Sequence, residues 1–217
     1  MPKTRQLNQL FNRWKRQRPE EAQLMCLDGI ICEEHYETAD PKILFIAKEP
    51  NDPRGEAFDF REWWCEDGPQ YAFSWRLCQW AYGIWNGFPP LTQFDEEADT
   101  LNIMRSIAFM NLKKVGGGNQ ADPQEIRRFT ERDQSFLRRQ IRIIDPDIIV
   151  GGIGDSSLWS VLFPDIEFQP SGFDIGVAYV AVNEKKVPVI DFYHPSHRVP
   201  RAMSYCLLGR VFQTIQT

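Results

Sequence analysis

Residues 122–154 read DPQEIRRFTERDQSFLRRQIRIIDPDIIVGGIG, and this stretch decides the fold. Asp122 suits a helix N-cap, Pro123 suits the first helical position, and Glu125 completes a capping-box-like pattern. Ile126, Phe129, Phe136, Leu137, Ile141 and Ile144 then fall on one helical face. Arg127, Arg128, Arg132, Arg138, Arg139 and Arg142 lie mostly elsewhere on that helix, as a solvated charged face would. Asp145-Pro146 stops the helix, because the residue before a proline is pushed out of the α region. Ile148–Gly152 follows at once, a short apolar run of the kind that forms a fully buried strand. A long helix leading directly into a buried strand is half of an α/β unit.

Working outward, three more apolar runs have the same character: Ile43–Ala47, Ile107–Asn111 and Val189–Tyr193. Val177–Val182 reads as a fifth strand, with Asn183–Lys186 turning the chain toward Val189. Helical patterns cover Tyr71–Trp85 and Pro200–Ile215. Strands alternating with helices predict an α/β fold: three layers, α/β/α, around a central, mainly parallel four-stranded sheet. Near the N-terminus, Leu7, Leu10, Phe11 and Trp14 mark a short amphipathic helix. Its basic outer face fits a docked helix, with a nucleic-acid or membrane-surface arm as the alternative. The expected organisation is one domain over residues 1–217, with residues 1–40 as a helical extension packed on it.

The chain has 217 residues, 25 basic and 30 acidic side chains, a net charge of -5 and 13% aromatic residues. Such an apolar and aromatic content excludes a disordered chain. The acidity is local: residues 19–104 hold eighteen acidic and five basic side chains, whereas residues 1–18 hold six basic and none acidic. The net charge is therefore no argument against a nucleic-acid partner. Five cysteines without a C-x-x-C pair read as reduced thiols, and with no signal-like or membrane-spanning run the expected location is cytoplasmic. No G-x-S-x-G elbow and no phosphate-binding G-x-x-x-x-G-K-[ST] loop occur, and three histidines without matched spacing argue against a zinc site.

Ligands of open α/β sheets bind at the carboxyl ends of the strands. The polar residues that end these runs are Lys48-Glu49-Pro50-Asn51, then Asn111 followed by Lys113, Lys114 and Gly116–Gly118. Gly151-Gly152 ends the third run, and His194-Pro195-Ser196-His197-Arg198 follows the fourth. One carboxylate, one carboxamide and one imidazole converge on one rim. A carboxamide can read a base edge, an imidazole can donate to a leaving group gaining negative charge, and a carboxylate can position water or steady a sugar cation.

This set, in this order, resembles the uracil-DNA glycosylase superfamily. The AKEPN motif of residues 47–51 stands where that superfamily carries forms such as GQDPY, GEAPG or GMNPG. Asn111 in AFMNLKK matches its base-reading Asn. Phe136-Leu137, Gln140-Ile141, Pro146, Ile148–Val150 and Gly154 match its FLxxQI segment, and His194-Pro195-Ser196 matches its HPS motif. The resemblance covers roughly residues 40–215 and implies a uracil-DNA glycosylase-like fold that hydrolyses the N-glycosidic bond of uracil or a related damaged base. Such enzymes first extrude the nucleotide from the duplex. It implies Glu49 and His194 as catalytic residues and Asn111, Phe73 and Pro50 around the base. Lys113, Lys114, Gly116, Gly117, Ser196, His197 and Arg198 would hold DNA phosphates.

The motif departs from the family at Ala47, Lys48, Glu49 and Asn51. A catalytically impaired module that binds nucleic acid, a free base or a nucleotide is therefore the alternative. A third possibility is an interaction protein whose pocket is filled by its own side chains. Each residue also has a plain structural reading: Asn111 capping a loop, His194 satisfied in the core, Glu49 paired with Lys48 or an arginine, Phe73 in the core, the glycines as a flexible turn. Some families of the superfamily hold an iron–sulfur cluster on four cysteines. Cys26, Cys32, Cys65 and Cys78 flank the first motif but lack their close pairs, so neither a cluster nor another metal is expected. DNA or a free base or nucleotide is the expected partner, with no membrane and no obligate protein partner.

Overall fold

The buried apolar runs pair into one mixed sheet. The computed structural model describes residues 1–118 and 120–215, so Asn119, Gln216 and Thr217 lie outside the described residues. Within them the strands are β1 (Gly29–Ile30), β2 (Ile43–Ala47), β3 (Ala108–Asn111), β4 (Ile148–Gly151), β5 (Gln169–Pro170), β6 (Gly176–Val182) and β7 (Lys185–Asp191). Their order across the sheet is β1-β3-β2-β4-β7-β6-β5. The pairs β3/β2, β2/β4 and β4/β7 are parallel, whereas β1 joins β3, β6 joins β7 and β5 joins β6 antiparallel. The expected sheet of four strands was thus too small. The described residues form seven, because both edges of the parallel middle are extended by antiparallel strands. The expected strand at Val189–Tyr193 also starts earlier, at Lys185. Asn183, at φ +52°, turns the chain tightly between β6 and β7, a conformation that asparagine tolerates better than most residues.

The helices are α1 (Lys3–Gln17), α2 (Glu33–Thr38), α3 (Phe60–Asp67), α4 (Ala72–Asn86), α5 (Leu91–Glu97), α6 (Thr100–Arg105), α7 (Pro123–Ile144), α8 (Ser157–Leu162) and α9 (Arg201–Ile215). Strand side chains alternate between faces, and the faces build two separate cores. Leu44, Ile46, Met110, Ile149 and Val189 pack with Leu7, Phe11 and Trp14 of α1, Leu137 and Ile141 of α7 and Trp159 of α8. Phe45, Ala47, Phe109, Val150 and Ile190 pack with Trp64 of α3, Leu77 and Trp80 of α4 and Leu208 of α9. Helices therefore cover both faces of the sheet.

The long helix begins and ends where its residues dictate. The Asp122 carboxylate accepts from the Gln124 and Glu125 amides, and Asp145 closes the helix at φ +55°. Glu125 does not complete a capping box; its carboxylate reaches Lys113 instead. The face read as solvated is partly ion-paired: Arg132 binds Glu21 and Asp133, and Arg127 binds Asp155. The amphipathic reading of α1 gives its docking face. Leu7, Leu10, Phe11 and Trp14 are all buried, and Trp14 stacks on Phe136 with ring centroids 4.9 Å apart. Residues 1–40 are more than a helical extension, however, since β1 pairs Gly29 and Ile30 with β3.

The connections place the site. From β2 the chain crosses to β3 on one side, and from β4 it proceeds to β7 on the other. In such sheets the crevice opens where adjacent strands send their chains in opposite directions, here beyond the carboxyl ends of β2 and β4.

Candidate functional site

Beyond their last ladder residues, β2 and β3 stay zipped together. Ala47 O accepts from Leu112 N, Lys48 O from Lys113 N, and Pro50 O from Gly117 N at 3.0 Å. The glycines make this close approach possible. A Cβ on Gly116 would stand 2.4 Å from the Asp52 Cβ, and one on Gly117 would stand 2.3 Å from Glu49 Oε2. Gly116 and Gly117 are thus packing positions rather than a flexible turn. The Gly117 N–H, expected to meet a phosphate, is already donated to Pro50.

Glu49 is nearly buried, and its Oε2 accepts from Lys113 Nζ at 2.7 Å. Lys113 also binds Glu125 at 2.9 Å. Burial alone would pull the Lys113 amine down, but its hydrogen bonds to the two carboxylates outweigh that and raise it above the ordinary lysine range. An ion pair for Glu49 was one of the expected readings, though its partner is Lys113 and not Lys48 or an arginine. The expected phosphate contact by Lys113 does not fit an amine that is 3% exposed and held by two carboxylates.

Lys114 is corrected further. It turns into the core, where Nζ lies 2.6 Å from Asp28 Oδ1 and 5.6 Å from the ring centroids of both Phe11 and Trp14. Burial lowers its pKa and Asp28 opposes that shift. Asp28, fully buried, also accepts from Gln140 Nε2 at 2.7 Å and from the Asn111 backbone N–H at 2.8 Å. This buried cluster holds the end of β3 in place. Lys114 cannot also reach DNA, because its charge is consumed beneath the sheet.

Asn111 is the unusual residue of the site. It is 1% exposed, and neither Nδ2 nor Oδ1 has a hydrogen-bond partner among the described residues. Most buried polar side chains find a partner, and each unmade bond costs about 1–3 kcal/mol. The loop-cap reading of Asn111 therefore fails, since its carboxamide caps nothing. By strand alternation Asn111 shares a face with Phe109, and Phe109 touches Phe73 at 5.6 Å. Phe73 lies in turn 5.5 Å from the His194 ring. Phe73 thus bridges His194 and Phe109, the residue that shares a strand face with Asn111.

His194 follows β7. Gly152 lets it approach: a Cβ there would fall 2.6 Å from the His194 Cα. Burial, then the charge of Lys48, then His197 push its pKa down to about 4, so the ring is neutral at physiological pH. The Ser196 N–H donates to Nδ1 at 3.2 Å, which leaves the ring proton on Nε2. The result is a neutral imidazole that presents an N–H donor. Arg76 of α4 braces the following loop, with Nη1 2.8 Å from His197 O and Nη2 3.1 Å from Val199 O.

A cleft of about 760 Å³ opens over these loops, lined by Lys48, Glu49, Asn51, Gly118, Gln120, Ala121, His194, Ser196, His197 and Arg198. Sequence reasoning placed Glu49, His194, Ser196, His197 and Arg198 there; the expected base contacts Asn111, Phe73 and Pro50 are not among the cleft's lining residues. It gave no role at the site to Lys48, Gln120, Arg76, Gly152 or Asp28. The Pro50 side is buried and serves the loop through its carbonyl. The four cysteines do not form one ligand set. Cys26 Sγ faces Asp52, Cys78 Sγ faces Thr100 O, and Cys65 lies against Cys32. No group of three or more His, Cys, Asp and Glu side chains among the described residues is arranged to hold a metal. No helix among them is long and apolar enough to cross a membrane. Compared with known proteins, the chain matches no family model and no curated protein.

Proposed function

We propose that the protein is a base-excising hydrolase, a DNA-repair N-glycosylase that removes uracil or a related damaged base from DNA. The observation that carries this reading is the buried Asn111 carboxamide with both polar atoms unpartnered. Other buried side chains such as Gln140 leave a single polar atom unmade, but Asn111 leaves both its donor and its acceptor, and a flipped base edge offers the matching acceptor and donor. Phe73 supplies the face against which the base lies. His194 Nε2–H donates to a base oxygen. As the C1′–N bond breaks, its electron pair leaves with the base and charge builds on that oxygen, where a neutral N–H donor stabilises it without first having to lose a proton. Water then adds to C1′ and gives up a proton, which the departed base anion takes. Glu49, held by Lys113, sets a carboxylate beside the sugar cation. Ser196, His197 and Arg198 stand exposed at the mouth for the phosphates. Helices on both faces of the sheet accord with the three-layer, uracil-DNA glycosylase-like architecture that the motifs suggest.

The test is incubation with oligonucleotides containing uracil, hypoxanthine or xanthine, followed by alkali. Strand breaks in at least one, lost in Asn111→Ala and His194→Ala, are expected. No breaks in any, with an active control enzyme alongside, would remove the reading. The Glu49–Lys113 ion pair favours one second reading, since a carboxylate so engaged is a poor activator of water. On that reading the cleft binds a nucleic acid, free base or nucleotide without turnover, and saturable binding without breaks would support it.

A further inference from the structure

Lys48 stands where the sequence motif departs from its relatives, and base excision as described gives it no task. Its side chain lines the cleft and is close enough to depress the neighbouring His194. The amine lies 4.0 Å from the point where a Cβ on Gly154 would stand, so the missing side chain there leaves it room. Carboxylates that follow or end β2, β4 and β7 are engaged elsewhere: Glu49 with Lys113, Asp155 with Arg127 and Ser157, Asp191 with Ser156. Among the described residues Lys48 has no hydrogen bond or ion pair through its side chain. Lys113 and Lys114, in contrast, are both locked into buried pairs.

We infer that Lys48 is an amine nucleophile that forms an imine with the aldehydic sugar of an abasic site. An unpartnered amine in a cleft is suited to carbonyl addition. Its position beside His194 puts it where the base departs, whereas Arg198, the cation suited to phosphate, stands exposed at the mouth next to His197. In the step itself the Lys48 ammonium first gives its proton to solvent, and the freed Nζ lone pair adds to C1′ of the ring-opened sugar. The carbonyl oxygen leaves as water with the two amine protons, and a C=N bond joins chain and DNA. No oxidant or reductant is consumed. The inference takes its substrate from the base-excision reading but is tested apart from it.

The experiment incubates the full chain with an oligonucleotide carrying a preformed abasic site in the presence of sodium borohydride, which reduces the imine to a stable amine. A covalent protein–DNA band is expected on a denaturing gel, with the adduct mapping to Lys48 by mass spectrometry. In Lys48→Arg, which keeps the charge but not the nucleophile, the band should fall about tenfold or more with thermal stability unchanged. No band with the wild-type chain, an adduct on another amine, or an undiminished band in Lys48→Arg would overturn the inference. Because the abasic site is preformed, trapping without excision of uracil, hypoxanthine or xanthine supports the inference while removing the proposed function. Excision without trapping does the reverse.

Discussion

Replacing Lys114 by Met separates a lysine that faces DNA from one that holds the core together. In the structure its Nζ is 2.6 Å from Asp28 Oδ1, and both side chains are essentially inaccessible. Removing the amine leaves a buried carboxylate with only the Gln140 amide and the Asn111 N–H as partners. Breaking one side of a buried pair costs about 3–5 kcal/mol, and two surviving hydrogen bonds place the loss near the lower end, about 3 kcal/mol. In a chain of this size each kcal/mol moves the melting temperature by about 2–4 °C, so a fall of about 6–12 °C is expected. Urea denaturation followed by circular dichroism measures the loss directly at constant m-value. A double-mutant cycle with Asp28→Asn should show the double variant losing at least ~1 kcal/mol less than the sum of the single losses. A Lys114→Met variant within about 0.5 kcal/mol of wild type but weaker on DNA would refute the buried pair.

The cleft yields three further expectations. Asn111→Leu removes two unpartnered polar atoms from a buried site, so it should raise stability by about 1–2 kcal/mol while abolishing base excision; a loss of stability would mean that the carboxamide is satisfied in the protein alone. His194 has a folded pKa of about 4, below its ordinary 6.5. The unfolded chain therefore takes up this proton first, and the contribution of the neutral ring is complete above pH 6.5 and is lost as pH falls toward 4, about 3 kcal/mol in all. Urea midpoints at pH 7 and 4.5 should fall further for wild type than for His194→Gln, and equal falls would contradict the buried neutral ring. Gly117→Ala drives a Cβ into the Glu49 carboxylate and should cut excision about tenfold or more; undiminished excision in that variant would contradict the packing role of Gly117.

Much of the middle of this fold could be read from the chain because each element carried its own signal. The helix Pro123–Ile144 has a capping aspartate, a periodic apolar face and a proline stop, and it forms with those bounds. The parallel strands are buried on both faces and read as unbroken apolar runs. The sheet edges gave no such signal. β1 and β5 are two residues each, too short for any period, and β1 pairs only because Gly29 adopts φ +136° beside Leu7. In β7, Lys185, Lys186 and Pro188 hide a strand whose Val187, Val189 and Ile190 are buried. At the site, strand ends pointed to Glu49, Asn111 and His194. Two adjacent lysines looked like a basic surface, but both turn inward. Their carboxylates, Asp28 and Glu125, lie 86 and 12 residues away, and a charge pattern along the chain cannot reveal partners brought close only by folding. Arg76 was hidden for the same reason, since its partners are backbone carbonyls more than 120 positions on.

Reading of the base by Asn111 and His194 together is the proposal on which the function rests. Its most direct test is alkali-revealed cleavage of a uracil-containing oligonucleotide by the purified chain, run beside His194→Ala and Asn111→Ala. Strand breaks at uracil are expected with the wild type, with a loss of at least about a hundredfold in each variant. Breaks that persist undiminished in both variants, or none from the wild type on any deaminated base, would contradict it.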